Sequence, residues 1–93
     1  MRLTKSEIAS IKHIVLAIDE NAKIYLYGSR VDDTKRGGDI DLLVISEKMN
    51  FSHKLDISGK LFEALDEQKV DLLIEKDFNK PFTAHIKETA ITL

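Results

Sequence analysis

The chain has 93 residues, of which 32% are charged, with a formal net charge of −2 and no cysteine. This is the balance of an ordinary globular domain, without the basic field that attracts nucleic acid or the thiols needed for disulfides, thiolate zinc sites and cysteine nucleophiles. No stretch reaches the ~20 apolar residues of a membrane span, and the start lacks a signal peptide's apolar region, so we expect one cytoplasmic domain, 1–93, without membrane or nucleic-acid partners.

The first predicted elements are a helix and a strand. The pattern Thr4-x-x-Glu7 is typical of a capping box, and apolar residues at helical spacing follow it. These are Ile8, Ile11, Val15 and Ile18. The segment 23–28, KIYLYG, is rich in β-formers and ends in glycine, which predicts a short strand. Residues 29–38 are polar and turn-rich, with one short helical turn expected after Ser29.

Two further strands and two further helices follow along the chain. The segments 39–45, DIDLLVI, and 69–74, KVDLLI, are predicted strands. Between them, Ser52 is a candidate cap for a helix whose apolar positions are Leu55, Leu61, Phe62 and Leu65. Pro81 suits the first turn of a last helix, which we expect to run through Phe82 and Ile86 before an apolar end, AITL.

This order predicts an α/β (α+β) fold with helices packed on a small mixed sheet of three core strands. The elements run α-β-α-β-α-β-α, counting the short turn after Ser29. A helical crossover joins the second and third strands, so these two should be parallel, right-handed in their connection and adjacent.

Two carboxylates, Asp39 and Asp41, begin the second strand two positions apart and therefore share a face. At about 4 Å and an effective dielectric of about 20 they repel by about 4 kcal/mol. If the third strand is a parallel neighbour, Asp71 stands beside them. Either one carboxyl then keeps its proton, or a divalent cation such as Mg²⁺ or Mn²⁺ turns the repulsion into coordination. The plainer alternative is that these aspartates only mark solvent-exposed strand ends.

The tripeptide Gly28-Ser29-Arg30 lies where the first strand gives way to a turn. Glycine lets a phosphate approach the backbone, and the serine hydroxyl and the guanidinium can hold phosphate oxygens. The alternative interpretation is structural: Gly28 ends a strand, Ser29 caps a helical turn and Arg30 is solvated.

Taken together, GSRVDDTKRGGDIDLLV and the later KVDLLI resemble the nucleotidyltransferase superfamily of DNA polymerase β. More narrowly, they are similar to its minimal members, the MNT domains. The motif of these proteins is Gly-Ser, a turn segment, Asp-x-Asp and a third Asp on a later strand. It is matched here by Gly28, Ser29, Asp39, Asp41 and Asp71.

The resemblance implies metal-dependent transfer of a nucleoside monophosphate, with AMP from ATP expected, to a hydroxyl acceptor. By this likeness Asp39 and Asp41 hold two Mg²⁺ ions, with Mn²⁺ as a substitute, on a nucleoside triphosphate. Asp71 ligates the catalytic ion and helps to take the proton of the attacking hydroxyl.

The same resemblance assigns the phosphates to the glycine-rich turn. Gly28 and Ser29 would bind the β- and γ-phosphates, with Arg30 as a further nucleotide-binding residue. Lys35 and Arg36 are candidate helpers within the turn segment.

A chain of 93 residues leaves little room for a separate acceptor domain, so we expect the acceptor on another chain or in a homodimer. Among minimal members, the resemblance points to the antitoxin of HEPN/MNT toxin–antitoxin pairs, which adds AMP to a tyrosine of its HEPN ribonuclease partner. The last helix and apolar tail are candidates for that interface, although packing as core is the favoured interpretation. Two alternatives remain open: a catalytically silent binding protein, and a transferase acting on a small-molecule hydroxyl.

Overall fold

The computed structural model describes residues 1–34 and 38–93 and has three α-helices and a four-stranded sheet. It confirms the predicted mixed α/β fold. The elements in chain order are α1 (Lys5–Leu16), β1 (Lys23–Tyr27), a 3₁₀ turn (Gly28–Val31), β2 (Ile40–Ile45), α2 (Phe51–Ala64), β3 (Val70–Glu75), α3 (Pro81–Thr89) and β4 (Ile91–Thr92).

The sheet has the strand order β3-β2-β1-β4. As predicted, β2 and β3 are parallel neighbours, with Asp41 opposite Asp71 and Leu42 opposite Leu72. Strand β1 pairs with β2 in the antiparallel direction. The fourth strand was not predicted, because two residues of an apolar tail are too few to show an alternating pattern. It pairs Ile91 with Leu26 of β1, so this part of the tail belongs to the sheet.

Side-chain alternation divides the sheet into two faces. One face carries Leu26, Leu42 and Leu72, which form the main core with α1 and α2. The other carries Leu43, which is fully buried, and the two tyrosines of β1, whose rings contact Phe78 and Phe82. Helix α3 buries Thr83 and Ile86, as the core interpretation of this helix expected. The predicted carboxylates share this second face, which α3 covers only in part.

The helix ends and faces differ in detail from the prediction. The Thr4–Glu7 capping box is present, but α1 ends at Leu16, so Ile18 lies beyond it. Helix α2 is capped by Asn50, one residue before the helix and two before the predicted Ser52: its carboxamide accepts from the N–H of His53, whose Nδ1 accepts from the N–H of Asn50.

The predicted inward face of α2 was also partly wrong. Leu61 and Leu65 are buried as expected, but Leu55 and Phe62 are 63% and 47% exposed. The inward position that the prediction missed is Ile57, which is fully buried. Helical spacing places Ile57, Leu61 and Leu65 in one row, and the additional apolar residues on the outer side obscured that row.

None of the helices found in residues 1–34 and 38–93 is both long enough and apolar enough to cross a membrane.

Candidate active site

The pairing of three strands brings a tyrosine and two aspartates into one row. Tyr27 of β1 lies opposite Asp41 of β2, and Asp41 lies opposite Asp71 of β3. Residues paired in this way project from the same face of the sheet. The structure therefore places Asp41 and Asp71 side by side. Asp39 lies immediately before β2, at the same end of these strands.

The carboxylates in this row repel one another. Burial raises the pKa of the Asp41 carboxyl above its ordinary value. The negative charge of Asp71, a hydrogen bond with the Asp71 carboxyl and the charge of Asp39 raise it further. Such a cluster is relieved either by a proton held on Asp41 or by a cation between the carboxylates.

A cation from the chain itself, Lys69, lies beside this cluster. Its Nζ is 3.3 Å from Oδ2 of Asp39. A hydrogen bond with Asp39 and the charges of Asp39 and Asp71 raise the pKa of the Lys69 ammonium. This lysine was not among the site residues predicted from the sequence. The sequence did contain a signal for it. Lys69 precedes Asp71 by two residues, as Asp39 precedes Asp41, and residues two apart on a strand share a face.

Within residues 1–34 and 38–93, no three carboxylate or imidazole groups stand together as a ready-made metal site. Asp39 is instead paired with Lys69. The donor chemistry of the cluster does fit a hard divalent cation, since Asp41 and Asp71 present oxygen ligands whose mutual repulsion such an ion offsets.

The turn after β1 comes into direct contact with Asp41. Gly28 has φ +76°, a left-handed conformation that favours glycine, and a Cβ at this position would overlap the Asp41 carboxylate. Gly38 has φ +89°, and a Cβ there would overlap the Ser29 hydroxyl. The two glycines therefore allow the ends of the turn segment to pack against Asp41 and Ser29.

The structure places the Arg30 guanidinium against the protein itself. Its Nε donates to the carbonyl of Gly38 at 3.2 Å, and its Nη1 and Nη2 donate to the Arg2 carbonyl and to Gln68 Oε1, each at 3.0 Å. Arg2 in turn donates through Nη2 to the carbonyl of Ser29 at 2.9 Å. These contacts make Arg30 a link between the 3₁₀ turn, Gly38 and Arg2, a role that was not predicted from the sequence.

A nucleotide contact by Arg30 stays a prediction beside that structural role. The two candidate helpers, Lys35 and Arg36, lie outside the described residues.

A groove of about 380 Å³ opens beside Asp71. Its walls include Tyr27 and Phe82 on one side and Lys54 and Ser58 of α2 on the other. The two rings meet edge to face with centroids 6.3 Å apart. Burial, followed by the charges of Asp41 and Asp71, raises the pKa of the Tyr27 hydroxyl. This groove could not be predicted from the sequence, because its walls come from four separate elements.

A different hollow, of about 360 Å³, lies at the opposite end of the sheet beside Asp19 and Ser46. Asp19 is buried and accepts a hydrogen bond of 2.6 Å from the Ser46 hydroxyl, which stabilises the loop after β2. This hollow has no contact with the aspartate cluster.

Comparison with known protein families gives a match that spans all four strands. The model of the family described as "Polymerase beta, Nucleotidyltransferase" matches residues 9–93. The chain belongs to this family. A search of curated proteins returned no match. The family match includes the Gly28–Ser29 turn and all three aspartates of this nucleotidyltransferase domain, and it supports nucleotidyl transfer as the general type of chemistry.

The close approach of Gly28 to Asp41 predicts the effect of an added methyl group. We expect Gly28→Ala to lower the free energy of unfolding by about 1–3 kcal/mol, because alanine is strained at this φ and its Cβ overlaps the carboxylate. The matched control is Gly59→Ala in α2, where a Cβ meets no atom within 4 Å. Urea unfolding should show that Gly59→Ala raises the free energy of unfolding by at most about 1 kcal/mol, because alanine favours the helix. Equal effects at the two positions would contradict the contact.

The raised pKa of Asp41 predicts a pH-dependent effect on stability. The folded state holds the proton of this carboxyl more tightly than the unfolded chain, so stability is lost as pH rises past the ordinary value of 3.8. Asp41→Asn removes that loss. We therefore expect a higher Tm than wild type for the metal-free protein at pH 7, and a difference that shrinks as the pH is lowered toward 3.8.

The control for this effect is Asp56→Asn on α2, because Asp56 pairs with Lys60 at 3.1 Å on the surface. It should not raise the Tm at pH 7. A gain in the Asp41 variant that does not change with pH would show that repulsion is not its cause.

Proposed function

We propose that this domain transfers AMP from ATP to a hydroxyl group on a partner protein. The observation that carries the proposal is the juxtaposition of Asp41 and Asp71, with Asp39 at the same edge, directly beside the Gly28–Ser29 turn. Oxygen ligands and a phosphate-accepting turn are the two parts that nucleotidyl transfer requires, and here they are adjacent.

Asp39, Asp41 and Asp71 are the residues that would hold divalent metal, with Mg²⁺ or Mn²⁺ suited to their oxygen donors. Two such ions, when bound, stabilise the charge on the attacking and leaving oxygens. In the transfer itself, the acceptor oxygen forms a bond to the α-phosphorus, the bond from that phosphorus to the bridging oxygen breaks, and pyrophosphate leaves. Asp71 is more exposed than Asp41, and in this proposal it takes the acceptor's proton.

The turn holds the triphosphate in this proposal. Gly28 has no side chain to keep a phosphate oxygen from the backbone beside Asp41, and the Ser29 hydroxyl adds a hydrogen-bond donor. The contacts of Arg30 with Gly38 and Arg2 hold the 3₁₀ turn Gly28–Val31, so Gly28 and Ser29 are positioned before nucleotide binds.

The groove beside Asp71 is the proposed acceptor site. Strand β3 is the outer strand of the sheet, so the groove opens at the sheet edge. The aromatic wall of Tyr27 and Phe82 suits a tyrosine side chain, whose ring packs there while its hydroxyl approaches Asp71. An open groove favours a hydroxyl presented by another protein over a small molecule, which usually binds in an enclosed pocket.

The likeness to MNT domains suggests which protein that is. We propose a HEPN ribonuclease as the partner, with a tyrosine of that protein as the acceptor and an antitoxin role for this domain. Four large apolar side chains at the surface can contribute to such an interface: Phe51, Leu55 and Phe62 on α2 and Phe82 on α3. A homodimer formed through the same surface is the competing arrangement.

A second candidate is a catalytically silent domain that regulates its partner by contact. The pairing of Asp39 with Lys69 favours this alternative, because one of the three predicted metal ligands is already engaged by a cation of the protein. The two candidates differ in whether label moves from ATP to the partner.

The proposal is tested by incubating the domain with α-labelled ATP, Mg²⁺ and a co-expressed HEPN-type partner. We expect wild type to label the partner and the double variant Asp39→Asn/Asp41→Asn to reduce labelling by at least about 100-fold, since the charges that hold the metal are lost. Asp56→Asn, which removes a surface carboxylate that pairs with Lys60 and is not part of the aspartate cluster, should label normally.

Mapping the label to a tyrosine of the partner would support the assigned acceptor. Co-purification of an unlabelled partner with wild type would instead favour the silent binding domain.

A further inference from the structure

We propose that Lys69 is the domain's own counter-ion for the aspartate site and that a divalent cation has to displace its ammonium group in order to bind. The inference rests on the proposed function for the existence of a metal site, and it assigns to Lys69 the role of competitor for that site.

The register of β2 and β3 positions this lysine. Ile40 is opposite Val70 and Asp41 is opposite Asp71, so continuing the ladder backwards by one residue brings Lys69 opposite Asp39. The main-chain carbonyl of Lys69 accepts a hydrogen bond of 3.1 Å from the N–H of Ile40, which fixes the backbone at this point. The ammonium thus meets the carboxylate across the strand pair, at 3.3 Å.

The ammonium can leave without any movement of the sheet. The Lys69 side chain is 70% exposed, whereas that of Asp39 is 43% exposed. Only the long, flexible end of the lysine therefore has to turn toward solvent when an ion arrives, while the backbone keeps the two strands in register.

Displacement weakens metal binding by the strength of the pair that is lost. Ion pairs as exposed as this one are weak. Losing the pair therefore lowers the metal affinity by only about two- to five-fold.

The test is a titration of the metal-free domain with Mn²⁺, followed by electron paramagnetic resonance of the free ion. We expect Lys69→Met to bind Mn²⁺ about two- to five-fold more tightly than wild type. Lys69→Arg keeps the charge and should remain close to wild type. Lys60→Met is the matched control, because Lys60 also forms an exposed pair, with Asp56 on α2, but has no contact with the three aspartates.

A second readout is the rise in Tm on addition of saturating Mg²⁺. It should be larger in Lys69→Met than in wild type, because the variant lacks the counter-ion that stabilises the metal-free state. Equal or weaker Mn²⁺ binding by Lys69→Met would overturn the proposal. So would a gain of the same size in Lys60→Met, since net charge alone would then explain it.

This test separates the inference from the proposed function. Asp41→Asn should abolish the Mn²⁺ binding that Lys69→Met strengthens. If it does, but no nucleotide is transferred to any partner, competition by Lys69 stands and the proposed transfer fails. If wild-type Mn²⁺ binding does not depend on Asp41, both the metal site and the competition are excluded.

Discussion

The site of this domain depends on the parallel register of β2 and β3. Leu42 and Leu72 are paired at one rung and face the core, and this burial holds Asp41 opposite Asp71 one rung earlier on the other face. A slip of one residue in either strand would turn the leucine of that strand away from the core and its aspartate toward the core. The free energy that fixes the carboxylates thus comes from the apolar core beneath them.

The same register creates an electrostatic cost that the neighbouring residues limit. Asp41 and Asp71 repel each other, Lys69 offsets the charge of Asp39, and glycine at position 28 leaves room for the Asp41 carboxylate beside the turn. When no cation is bound, a carboxylate cluster of this kind is less stable than a neutral surface would be. Such a cost is typical of places where a fold is arranged to bind a ligand.

Much of the architecture could be predicted because the relevant signals are local. The Thr4–Glu7 cap, the apolar strands and the crossover between β2 and β3 all follow from spacing along the chain. Strand β4 could not be predicted, since it is defined by pairing with β1 over two residues. The inward face of α2 was misassigned because Leu55 and Phe62 are apolar but exposed, and burial depends on what lies opposite a helix.

The site was predictable to a similar extent. The three aspartates and the Gly28–Ser29 turn are visible as a motif. The inward contacts of Arg30 and the groove between the Tyr27–Phe82 ring pair and α2 depend on distant residues that only the fold brings together. Lys69 was predictable only in part. Its two-residue spacing from Asp71 is visible in the sequence, but its contact with Asp39 depends on the strand register.

The central claim is that β2 and β3 form one cation site at the end of the strands where the aspartates lie. Its most direct test is the paramagnetic broadening of amide NMR signals on titration with Mn²⁺. The account predicts that the first signals lost belong to Gly28, Asp41 and Asp71 and their immediate neighbours, and that Asp41→Asn abolishes this pattern. Broadening centred instead on Asp19 and Ser46 at the opposite end of the sheet, or no selective broadening, would contradict the account.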